Sequence, residues 1–103
     1  MPSFGIGINP HKRDNGNVRG STKPIACMAW YAPDHAPVPL LFKFEGHDGV
    51  IQTVDSINIL HMDCKHYDGD KVYEYACDAV FDGIVYWFKL LFYVLSCRWT
   101  MVI

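Results

Sequence analysis

The stretch YEYACDAVFDGIVYWFKLLF, from Tyr73 to Phe92, decides the fold. Asp82-Gly83 stands at its centre, between two runs rich in aromatic and β-branched residues. Both central residues of a two-residue type I′ turn need positive φ, which Gly adopts freely and Asp tolerates, so this pair predicts a tight hairpin. The turn also sets a register. Phe81 faces Ile84, Ala79 faces Tyr86, Cys77 faces Phe88, Tyr75 faces Leu90 and Tyr73 faces Phe92. All these pairs are apolar or aromatic and share one face. The other face pairs Val80 with Val85, Asp78 with Trp87, Ala76 with Lys89 and Glu74 with Leu91. Lys89 is then diagonal to both Glu74 and Asp78, a favourable cross-strand arrangement. A slip of one residue would turn the apolar set outward, so turn and pattern support the same register. A buried helix competes over residues 84–96, whose apolar run is nearly continuous. The β-branched and aromatic residues and the turn favour a strand.

Working outward, the same alphabet recurs. A turn near Leu95-Ser96 leads to a last strand, Arg98 to Ile103. Upstream, HYDGD (His66 to Asp70) is a turn. The run Val50 to Met62 is rich in Val, Ile and Thr, and its apolar parity shifts near Asp55-Ser56, which predicts a bend or bulge. GHDG (Gly46 to Gly49) is a turn. LLFKFE alternates, with Leu40, Phe42 and Phe44 on one side. Three prolines between Ala32 and Pro39 predict an extended loop, and ACMAWYA (Ala26 to Ala32) a first strand. The expected class is all-β: a small antiparallel barrel or strongly bent sheet of five to six strands. It resembles SH3-like and OB-like barrels in strand count alone, which implies no function.

Length and charge narrow the classes further. At 103 residues and 11.8 kDa the chain is read as one domain. Hydrophobic residues make up 50%, enough for a core and too many for a globally disordered chain. The division falls at Pro24. Residues 1–24 hold four Gly, three Pro and three Asn, and read as an irregular basic arm. Its Lys12, Arg13, Arg19 and Lys23 stand against Asp14, whereas residues 25–103 carry 5 basic and 10 acidic side chains. The opening MPSFGIGINPHKR lacks the apolar core of a secretory signal, so a cytoplasmic protein with four free thiols is expected. Gly83 to Cys97 is shorter than the roughly 20 apolar residues of a spanning helix and carries Lys89, so no membrane partner is expected.

Few residues suggest chemistry. His61, Asp63, Cys64 and His66 are the densest set, with Cys64 and His66 on one strand face. A structural zinc site needs four ligands, usually in close pairs, and no second pair is present. Polar residues at a strand end explain the set as well. Cys64 with His61 or His66 lacks a third, orienting residue for nucleophilic catalysis. Cys27 and Cys77 fall in apolar runs and read as small buried hydrophobes. Asp68 and Asp70 belong to a turn, and Asp78 and Asp82 to a solvent face and a turn. Gly5 to Gly7 and GSTK (Gly20 to Lys23) lack the context of a phosphate-binding loop. No catalytic, cofactor or metal residue is assigned, and the chain is read as a non-enzyme.

Two functions stay open. The first is a small non-catalytic protein-interaction module, binding an unknown partner or a second copy through Trp87, Leu91 and Tyr93. These share the hairpin's second face with Val85, and a patch that apolar marks contact with another chain or element. The alternative is a nucleic-acid-binding module using Lys12, Arg13, Arg19 and Lys23, since basic arms bind phosphate backbones.

Overall fold

A computed structural model of the chain describes residues 21–103. Every regular element is a strand: β1 (Thr22–Trp30), β2 (Val38–Glu45), β3 (Ile51–Val54), β4 (Ile57–Tyr67), β5 (Asp70–Phe81), β6 (Ile84–Tyr93) and β7 (Arg98–Val102). They form one antiparallel sheet in the order β3-β2-β1-β7-β6-β5-β4. The all-β expectation holds, with seven strands instead of five to six. The extra strand arises at Asp55-Ser56. The bend expected there is a complete break, and β3 and β4 lie at opposite edges of the sheet.

That break forces the sheet to curl. Laid flat, seven strands span roughly 29 Å from first to last. The link from Val54 to Ile57 reaches at most about 11 Å. The two edges must therefore approach each other, and the sheet becomes a half-barrel. Its interior confirms the curl. Phe42 of β2 meets Phe88 of β6 at 5.5 Å between ring centroids, although two strands separate them in the sheet. Phe92 and Trp99 pack at 4.9 Å, and Tyr75 lies 5.7 Å from Trp99. Leu90, Cys77, Ala79, Val54 and Met101 complete the buried core.

The β5–β6 ladder has the expected register from Phe81↔Ile84 to Tyr73↔Phe92. Asp82 and Gly83 have φ of 52° and 74°, as a type I′ turn requires. Asp68-Gly69 repeats this chemistry between β4 and β5, with φ of 52° and 81°. Gly49, at φ 80°, closes the loop between β2 and β3. Two bulges adjust the strands. Leu60 is skipped between Ile59↔Cys77 and His61↔Ala76. Leu40 is skipped between Met28↔Leu41 and Ala29↔Pro39, so it points out to solvent instead of inward with Phe42 and Phe44.

β1 begins at Thr22, inside the stretch read as an arm, and pairs through Thr22↔Val102 to Ile25↔Trp99 with β7. Pro24 is tolerated because β2 does not flank β1 until Ala26, so its missing N–H leaves no ladder gap on that side. The rest of the arm lies outside the described residues.

Candidate functional site

The distinctive surface is the tip of the β5–β6 hairpin. β6 pairs with β5 from Ile84 to Tyr93, but β7 flanks it only from Lys89 to Tyr93. The tip therefore overshoots the barrel. Val80, Ile84, Val85, Tyr86 and Trp87 are all exposed there, Trp87 at 69%. Ile84 and Tyr86, expected on the core face, sit on that face but beyond the core that would cover them. The lengths of the two apolar runs hold this signal: the final strand is too short to shield the whole hairpin. Among the described residues, the β6 edge from Ile84 to Phe88 has no hydrogen-bonded neighbour on the β7 side.

The face read as Trp87, Leu91 and Tyr93 is divided. Leu91 is fully buried and Tyr93 nearly so, in a second cluster with Val72, flanked by Tyr67 and Val102. The Arg98 guanidinium covers the Tyr93 ring at 4.0 Å. Side chains from β4, β5, β6 and β7 converge on that patch, so only Trp87, with Val80 and Val85, is presented to solvent. Beside the cluster sits Glu74, 7% exposed. Tyr67 Oη donates to its Oε2 at 2.8 Å; Lys65 Nζ lies 2.9 Å and Lys89 Nζ 3.6 Å from its Oε1. The expected Lys89–Glu74 diagonal is thus formed.

The remaining candidates are scattered. Lys12, Arg13 and Arg19 lie outside the described residues. Lys23 is in β1 and donates from Nζ to the Glu45 carbonyl at 2.7 Å. His61 Nε2 meets Asp63 Oδ1 at 3.1 Å on one face of β4, and the alternation of a strand puts Cys64 and His66 on the other. No group of three or more His, Cys, Asp or Glu able to hold a metal occurs among the described residues. All four cysteines are free. Burial pushes the Cys27 and Cys77 thiols up to about 12, which suits packing and not nucleophilic attack. No helix among the described residues is long and apolar enough to cross a membrane.

A second exposed apolar group, Met28, Trp30, Val38 and Leu40, lies on β1 and β2 at the far end of the molecule. There β1 also runs past β7, which pairs it only from Thr22 to Ile25, but the exposed side chains of β1, Met28 and Trp30, lie on one face. The hairpin tip combines apolar side chains on both faces with a backbone edge that is unpaired among the described residues. Fold and site thus define a small half-barrel with a projecting apolar hairpin. Compared with protein-family models, curated proteins and solved structures, the chain finds no match.

Proposed function

We propose that the protein is a small non-catalytic interaction module whose contact surface is the tip of the β5–β6 hairpin. The observation that carries this reading is the exposure of Trp87 among Val80, Ile84, Val85 and Tyr86. Val80, Val85 and Trp87 form an exposed apolar patch on the outer face, with Ile84 and Tyr86 exposed on the other, and contiguous exposed apolar surface serves contacts. Trp and Tyr are also the side chains that most often dominate binding energy.

Trp87→Glu tests it. An exposed contact residue contributes little to folding, so the melting temperature should move by no more than about 2–4 °C. Association through the tip should be lost, because a carboxylate buried without a partner is costly. A several-fold larger fall in melting temperature, with elution volume unchanged, would place Trp87 in the protein's own core and refute the reading.

A further inference from the structure

We infer that the partner of the hairpin tip is a second copy of this chain, joined edge to edge through β6 in an antiparallel pair centred on Val85. This rests on the interaction reading above and names its partner. The argument begins at the turn. In a two-residue hairpin the flanking residues, Phe81 and Ile84, exchange both backbone hydrogen bonds. Alternation then directs the N–H and C=O of Ile84, Tyr86 and Phe88 toward β5. Those of Val85 and Trp87 point away from it, off the edge that β7 leaves bare. An exposed edge with apolar side chains on both faces is a template for strand pairing.

The surrounding structure selects the register. A twofold axis perpendicular to the sheet pairs residues that share a face, so the centre must fall on a residue. Centring on Tyr86 would set Gly83 opposite Lys89 of the second copy, where that copy's own Val102 already sits. Centring on Ile84 leaves only the turn and its neighbour in contact. Centring on Val85 keeps the pairing within the bare span. Val85 then faces its own symmetry mate and exchanges two backbone bonds with it. Ile84 faces Tyr86 on the inner side, and Gly83 faces Trp87 on the outer side. Every pair is apolar, and the bare glycine leaves room for the indole. Asp82 then lies opposite Phe88 of the second copy, one position from Lys89, whose ammonium also faces Glu74 and adds a complementary charge at the end of the pairing. The pairing is isologous, as most homodimers are.

Light scattering on the full chain across the micromolar range should show mass rising with concentration toward twice 11.8 kDa. Val85→Cys should form a disulfide-linked dimer under mild oxidation, several-fold above the level given by the native cysteines. Asp78→Cys, on the same face but away from the axis, should not exceed that level. Trp87→Glu should restore the monomer mass. A monomer at every concentration would overturn the dimer. So would a dimer whose Val85→Cys variant links no better than the native chain, or one that survives Trp87→Glu. None of these outcomes alters the thermal test of Trp87 exposure, so the dimer can fail while the contact surface stands.

Discussion

Among the described residues Glu74 is the one buried charge, and its surroundings make it a pH-dependent clasp between β4, β5 and β6. Burial alone would raise its carboxyl. Hydrogen bonds from Lys65 and Tyr67, with the charges of Lys65 and Lys89, outweigh burial and hold it below the usual 4.5. The folded-state value is therefore depressed relative to the unfolded chain. The stabilisation is complete above the unfolded value and is lost as pH falls through the lower, folded one. Glu74→Ala strands the Lys65 ammonium and the Tyr67 hydroxyl. It should cost about 2–3 kcal/mol near neutrality, less than a fully buried pair because both lysines reach water. Glu74→Gln should cost about 1 kcal/mol and flatten the acid limb of stability. Urea unfolding at about pH 7 and about pH 3 measures both; an unchanged pH slope in Glu74→Gln would show that the clasp is not electrostatic. Lys89 was legible as a partner of Glu74 because the diagonal follows from the hairpin register. Lys65 and Tyr67 were not, because their approach depends on where β4 docks.

At the scale of elements, turns carry the strain and the instructions. Within its own chain a Cβ added to Gly83 would meet nothing within 4 Å, so in the dilute monomer Gly83→Ala tests backbone conformation alone. At φ 74° it should cost about 1 kcal/mol, a fall of roughly 4–8 °C in melting temperature. Cys97 is the converse case, a non-glycine at φ 52° in the β6–β7 loop. Cys97→Gly should raise stability by about 0.5 kcal/mol, the relieved strain being offset in part by glycine's larger unfolded-state entropy. Thermal unfolding of the two variants should move in opposite directions, and a shared direction would contradict the turn assignments. The same local chemistry made the β5–β6 hairpin readable: Asp82-Gly83 and the side-chain faces gave one register. The run Val50 to Met62 resisted reading for a matching reason. A two-residue break at Asp55-Ser56 and a bulge produce the same parity shift, and only the distant partners Phe42 and Ala79 separate β3 from β4. What covers Leu91 and Tyr93 was not legible in the hairpin, because Tyr67, Val102 and Arg98 come from β4 and β7.

At the scale of the molecule, all seven strands pair with a sequence neighbour on at least one side, and β1–β7 is the ladder that joins distant parts of the chain. It returns Thr22 to Val102 and sets the sheet's ends, β3 and β4, side by side across a two-residue link. The seam of the half-barrel thus falls where the backbone is continuous, and the continuous stretch of sheet runs through both ends of the domain. This arrangement has a kinetic consequence. A chain rewired to begin at Ser56, run through Ile103 into Met1 and end at Asp55 would lay its strands down in spatial order, β4-β5-β6-β7-β1-β2-β3. The β1–β7 ladder would then close a loop of residues 103 and 1–21 instead of most of the chain, saving roughly 1 kcal/mol of closure entropy in its formation. Such a permutant should refold faster, because every pairing becomes local. It should also unfold faster, because nothing covalent would hold the seam. Stopped-flow refolding and unfolding of the two connectivities would show whether the tether between β3 and β4 acts as a brake on folding and a latch on the folded barrel.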